Sequence, residues 1–210
     1  ERCVFSDHHT NHAYSAYCTG GRARALVMVA DAWGDDNHAG GLYTAIDGKL
    51  DCIAQTRSAE CSLGAFYGGI TRHLGFRENR HEGKITGLAA FGDPRPAYDV
   101  MRRLITHDEQ TLTFGRGVDV HDIYGAFPAL ARKYGQFRHL LNGQWAKSFY
   151  ADYYERNLGK FTREEVAASA QKVLEDVVVE HVAAAVRKTG LTDIQLAGGV
   201  FANVKVNQRI

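Results

Sequence analysis

The chain has 210 residues, 45% of them hydrophobic, enough to bury one large core or one and a half smaller ones. Its 25 basic and 24 acidic residues nearly cancel, which removes any general electrostatic case for nucleic acid or a membrane surface as partner. No apolar run reaches the roughly 18–20 residues a membrane-spanning helix needs, no signal peptide opens the chain, and four cysteines without C-x-x-C spacing read as free thiols in a reducing cytoplasm.

The chain opens without methionine on a strand-like run, 1–6, and stops at Gln208-Arg209-Ile210 inside a predicted helix, so both ends are expected to be cut. Residues 8–18 come next, rich in Ala, Ser and Tyr, and suit a helix that packs closely on a neighbour, with Gly20-Gly21 as its stop. His8 and His12 are i and i+4 on that helix, so their imidazoles share a face one turn apart. That spacing is half of a transition-metal site, although a polar helix start that happens to carry histidines fits it too. His9 lies about 100° round the helix and needs another role.

Ala25–Ala30 is a continuous apolar run, expected as a buried strand. Asp31 ends it before the Gly34 turn, a position from which a carboxylate can reach a metal or phosphate, or simply close the strand. Gly41–Ile46 and Leu50–Thr56 flank Asp47-Gly48, a hairpin signal that completes a three-stranded antiparallel meander. Gly64–Leu74 reads as an amphipathic helix with Phe66, Ile70, His73 and Leu74 on one face and Gly75 beyond. Residues 81–92 form a short helix of small residues. Glu82 and Lys84 beside it either face a ligand pocket or serve the helix dipole and solvent.

Between Asp93 and Gly159 the pattern allows a helix near Ala97–Leu104, a strand near Thr111–Phe114 and a helix near Asp122–Lys133. Phe149, Tyr150, Tyr153 and Tyr154 read as packing, because no basic groove accompanies them. Thr162 and Glu165 form a capping box for a long helix striped with Val166, Ala170, Val173, Val177, Val182 and Val186, ended by Thr189-Gly190. A strand at Asp193–Ala197 then runs into Gly198-Gly199 and a final helix, with Asn203 close behind. Strand, Gly-Gly and helix start is a place where backbone can lie against a nucleotide.

In this order the elements match an α/β fold, one half of an actin/hexokinase-like (ASKHA, ribonuclease H-like) architecture with a mixed sheet, an antiparallel meander and packed helices. Six motifs carry a more specific likeness: His8-His9-x-x-His12-Ala13-x-Ser15, Val29-Ala30-Asp31-x-x-Gly34, Ser62-Leu63-Gly64-x-x-Tyr67, Thr71-x-x-Leu74-Gly75-Phe76, Glu82-Gly83-Lys84-x-x-Gly87-Leu88-Ala89-Ala90-x-Gly92 and Leu196-Ala197-Gly198-Gly199-Val200-x-x-Asn203. They resemble the O-carbamoyltransferases of nodulation-factor and antibiotic biosynthesis, over nearly the whole chain except about 95–160. The resemblance implies an N-terminal domain like that of the tRNA threonylcarbamoyladenosine-forming enzymes, with a YrdC-like domain downstream.

In that family the YrdC-like domain makes carbamoyl-adenylate from carbamoyl phosphate and ATP, and the N-terminal domain passes the carbamoyl group to an alcohol. The resemblance implies iron, or another divalent transition metal, on His8, His12 and Asp31, completed by an aspartate of a later motif. Gly198, Gly199 and Asn203 are expected at the nucleotide, and His9 at the acceptor as proton-removing group. Glu82 and Lys84 are expected in the same pocket, the lysine on an anionic group. Ala32 stands where the family usually has glycine, Trp33 is bulky beside it, and Phe201 replaces a small residue. The expected partners are carbamoyl phosphate, ATP and a small-molecule alcohol, with no nucleic acid and no membrane, and a homodimer is allowed for. The rival readings are a tRNA threonylcarbamoyl transferase or small-molecule kinase of the same superfamily, or a metal- or nucleotide-binding domain without chemistry.

Overall fold

Strand β1 (Arg24–Ala30) is buried at every position but its first, because both faces of the sheet around it are covered. The computed structural model describes residues 6–57, 61–118, 150–151 and 153–210. Alternate side chains of β1 serve two cores. Ala25, Val27 and Val29 meet Ala13 and Tyr17 of helix α1 (His8–Gly20) on one side. Leu26, Met28 and Ala30 join the larger core on the other.

Strands β2 (His38–Ile46) and β3 (Lys49–Arg57) continue the sheet antiparallel, as the meander reading requires. Their turn has Asp47 at φ 48° and Gly48 at φ 90°, the paired positive dihedrals of a type I′ hairpin. Strand β6 (Ile194–Ala197) pairs parallel with β1 on its other side, giving the mixed order β3-β2-β1-β6. Helix α1 is tied across this sheet by Tyr17, whose hydroxyl donates to the Ala23 carbonyl at 3.1 Å and accepts from Gly48 N at 2.8 Å.

The larger core is covered by helices. α2 (Leu63–His73) is buried along nearly its whole circumference, with Leu63, Ala65, Phe66, Tyr67 and Ile70 all inside, while His73 is exposed rather than on the buried face. α3 (Glu82–Leu88) ends in a 3-10 turn, and α4 (Arg95–Arg102) buries Ala97 and Met101. The expected strand near 111–114 is β5 (Thr113–Gly115), paired with β4 (Thr106–Asp108), a three-residue strand too short to leave a periodic signal.

The long helix α5 (Arg163–Thr189) spans 27 residues, about 40 Å. Thr162 and Glu165 form the capping box, and Gly190 at φ 71° closes the other end. Its buried valines and alanines pack on α2, α3, α4 and β1. Each side chain so buried stabilises by about 1.5–3 kcal/mol when it is Val or Leu. Tyr150, Tyr153 and Tyr154 are buried packing residues, Tyr154 donating to the Phe66 carbonyl at 3.0 Å.

Cys18 and Cys52 are exposed thiols and Cys61 is a buried one. No helix among the described residues is long and apolar enough to cross a membrane. The opening strand, the helix near Asp122–Lys133, Phe149 and Cys3 lie outside the described residues.

Candidate metal centre and the adjoining cavity

Helix α1 carries two neighbouring stripes with different fates. His9, Ala13 and Tyr17, spaced four apart, face the sheet and are buried. The adjacent stripe turns His8 and His12 towards the end of β1. There His8 Nε2 lies 3.3 Å and His12 Nε2 3.6 Å from Asp31 Oδ2. The two rings meet edge to face, 4.6 Å between centroids. Among the described residues these three are the group of His, Cys, Asp or Glu side chains that could share an ion, their ligand atoms all within 4.8 Å of one another. Bonds of ~2.1 Å hold the ligands of one ion about 3–3.5 Å apart, so the observed spacing needs only a small contraction. Two imidazoles and a carboxylate suit iron, zinc or manganese.

The surroundings hold Asp31 and the start of α1 in place. Asp31 Oδ1 accepts from Ala32 N at 2.8 Å, which leaves Oδ2 for the histidines. Asp7 caps α1 by accepting from Thr10 N, and Asp35 Oδ2 accepts from His8 N at 2.9 Å. The start of α2 grips the same backbone: the Ser62 hydroxyl donates to the Ala32 carbonyl at 2.6 Å, and Gly64 N donates to the Asp31 carbonyl at 3.3 Å. Gly34 leaves room for the rings, since a Cβ there would sit 2.7 Å from His9 Cε1 and 2.9 Å from His8 Cδ2.

Beside the triad opens a cavity of about 540 Å³, with Asp31 and Gly199 on its wall. The parallel register that sets Val29 opposite Ala197 brings the ends of β1 and β6 side by side. Asp31 and Gly199 thereby meet; a Cβ at Gly199 would lie 3.2 Å from Asp31 Oδ1. Gly198 sits one residue behind at φ 94°, where a Cβ would strike the Ala30 carbonyl oxygen at 2.3 Å. The chain continues into a 3-10 turn, Gly199–Ala202, and a four-residue helix α6 (Val204–Asn207), not the longer helix expected.

His9 departs from expectation. It is fully buried, neither ring nitrogen has a hydrogen-bond partner, and it stands edge-on to His8 at 5.1 Å. Burial, and then the neighbouring His8, push its pKa down. It is a packing residue behind the ligand pair and does not line the cavity.

Asn203 and Glu82 do line the cavity. The Asn203 amide is engaged with Gln171, donating from Nδ2 to Oε1 at 2.8 Å and accepting from Nε2 at 3.2 Å, and its Oδ1 also caps α6. Tyr67 extends this network into the cavity wall, donating to Gln171 Oε1 at 2.7 Å. Burial pushes the Tyr67 phenol up to about 12, so it stays a neutral donor. Glu82 Oε1 accepts from Asn79 N at 2.6 Å. Lys84 is placed elsewhere: its ammonium lies 5.5 Å over the Phe76 ring and does not share the pocket of Glu82. Two contributors escaped the sequence reading. Gln171 could have been found as a polar residue inside the apolar stripe of α5, whereas Arg80, on the cavity wall, sits in a turn without periodicity.

Compared with known proteins, the chain matches the family described as carbamoyltransferase N-terminus across residues 1–210. The chain belongs to that family. Among curated proteins, this carbamoyltransferase N-terminus is 32% identical to nodulation protein NolO of Bradyrhizobium diazoefficiens, over 97% of this chain and 33% of that one. It is 28% identical to nodulation protein NolNO of Sinorhizobium fredii, over 100% of this chain and 27% of the relative. An uncharacterised protein of Methanocaldococcus jannaschii is 28% identical over 97% of this chain and 32% of its own length. The chain therefore spans about a third of the length of the curated relatives it matches.

Proposed function

We propose that this domain holds carbamoyl-adenylate, made from carbamoyl phosphate and ATP, and passes its carbamoyl group to a hydroxyl of a small-molecule natural product or sugar. Membership of the carbamoyltransferase N-terminus family supports carbamoyl transfer in general. The observation that carries the finer reading is that one residue, Asp31, belongs both to the His8–His12–Asp31 triad and to the wall of a cavity of about 540 Å³, large enough for a nucleotide-sized ligand. The fold proposed with it is one half of an actin/hexokinase-like domain, supported by the β1–β2–β3 meander with β6 added parallel to β1. A YrdC-like domain elsewhere in the protein is the proposed source of the adenylate.

His8, His12 and Asp31 would hold a divalent transition metal, iron by resemblance. When bound, such an ion stabilises negative charge on phosphate or carbonyl oxygen. The remaining work falls to the chain. Asp31 is oriented by Ala32 N, and the Asp31–Ala32 backbone is clamped by Ser62 and Gly64, so the triad is set before a ligand arrives. Gly199 lets ligand atoms approach the backbone next to Asp31. Gln171 braces Tyr67 and Asn203 of the cavity wall through their shared hydrogen bonds. The Glu82 carboxylate on the cavity wall accepts hydrogen bonds from ligand hydroxyls. His9, without access to the cavity, orients His8 and takes no proton from the acceptor.

Metal analysis of the full-length protein tests the site. His8→Ala and Asp31→Ala are expected to lose stoichiometric metal while the circular-dichroism spectrum is kept. Full metal content in both variants would remove the triad from the reading. Transfer from radiolabelled carbamoyl phosphate to a panel of hydroxylated acceptors, dependent on ATP, tests the reaction itself.

A further inference from the structure

The cavity wall carries three charged side chains among its described residues: Asp31, Glu82 and Arg80. Two are carboxylates. A phosphate-bearing ligand entering between them meets repulsion unless a cation faces it. The basic residues near by on α3 and α6 are unavailable, because Lys84 lies over Phe76 and Lys205 is not on the wall. Among the described residues, Arg80 alone brings a positive side chain to this surface.

Its turn is built to hold it there. Arg77 N donates to His81 Nδ1 at 3.2 Å, and His81 N returns a hydrogen bond to the Arg77 carbonyl at 3.0 Å. Asn79 adopts φ 62° and its N–H is taken by Glu82 Oε1. These bonds use the backbone and side chains on both sides of Arg80 but not its guanidinium, which forms no ion pair with another described residue. Elsewhere on the surface the exposed arginines of this chain are commonly paired, Arg95 with Asp93 and Arg187 with Glu109 among them. An unpaired guanidinium on the wall of an otherwise acidic cavity is a ready partner for a phosphate, which it can meet with two parallel N–H···O bonds.

We propose that Arg80 is a phosphate-binding residue of this cavity, contacting the phosphate oxygens of the carbamoyl-adenylate donor. The assignment rests on the reading of the cavity as the donor site. The apparent affinity for carbamoyl-adenylate supplied directly, read as its KM in transfer to a hydroxylated acceptor by the metal-loaded full-length protein, tests it, since this step bypasses the adenylate-forming site. Arg80→Gln is expected to weaken the apparent affinity for the adenylate by about 5- to 10-fold and to flatten the fall in affinity with added salt, since a charge contact has been removed. Arg80→Lys, which keeps the charge, is expected to lose less, and Arg95→Gln, whose partner is Asp93 away from the cavity, is expected to bind as the wild type. An unchanged KM and salt dependence in Arg80→Gln would overturn the proposal. A wild-type protein that binds metal but transfers nothing from carbamoyl-adenylate would instead remove the donor-site reading, and the role of Arg80 with it.

Discussion

A single methyl group at position 34 would probe how closely the rings of the proposed metal site are held. With its Cβ 2.7 Å from His9 Cε1 and 2.9 Å from His8 Cδ2, Gly34→Ala must displace one imidazole or the other. His9 is enclosed on all sides, so His8 is the ring free to move, away from Asp31. Metal affinity is expected to fall about 10-fold or more in a chelator competition, with secondary structure intact, as is usual when the support of a ligand is disturbed. Wild-type affinity would mean that the turn at Gly34 yields instead. At this scale the candidate ligands were legible and their supports were not. His8 and His12 declare themselves by helical spacing, and Asp31 by ending a buried strand. Glu82 appears as a carboxylate near a thin helix, but Lys84, two residues on, looks identical in sequence and points to Phe76. His9 shows the same limit, since its fate is set by the sheet beneath α1 rather than by its neighbours in the chain.

Whole elements were the easier part. The Asp47-Gly48 hairpin, the apolar β1 and the capping box of α5 each rest on local rules, and local rules decide them. β4 and α6, at three and four residues, are too short for periodicity and owe their form to what surrounds them. The capping box can be weighed directly. Thr162 Oγ1 accepts from Glu165 N at 3.2 Å and Glu165 Oε2 from Thr162 N at 2.9 Å. Thr162→Ala removes the first bond and exposes an orphan amide, for an expected cost of about 1 kcal/mol and a melting point lower by about 2–4 °C. Calorimetry would read the shift. An unchanged melting point would show that the start of α5 is held by packing, for instance by Arg163 donating to the Leu74 carbonyl at 2.7 Å, rather than by its cap.

Across the molecule as a whole, stability should track pH through a pair of histidines outside the proposed metal site. His181, buried in α5, stacks on Phe114 at 4.3 Å and meets His107 edge-on at 5.0 Å. Burial, with the neighbouring His107 adding to it, pushes His181 down to about 3. The native state then holds it neutral while the unfolded chain protonates near 6.5. Its contribution is complete above about 6.5 and is lost as pH falls towards 3. Urea midpoints of the wild type are expected to drop over that range more steeply than those of His181→Leu, whose side chain does not titrate. Equal slopes would exclude His181 as the source. The parallel pairing of β1 with β6 carries a different consequence, for the order in which the molecule assembles. His8, His12 and Asp31 sit within one short reach of chain, whereas Asp31 and Gly199 are 168 positions apart, from 31 to 199. Closing the longer loop costs more entropy and comes later. The three candidate ligands can gather while the chain is still largely open, and the chamber next to them takes shape only when β6 docks against β1.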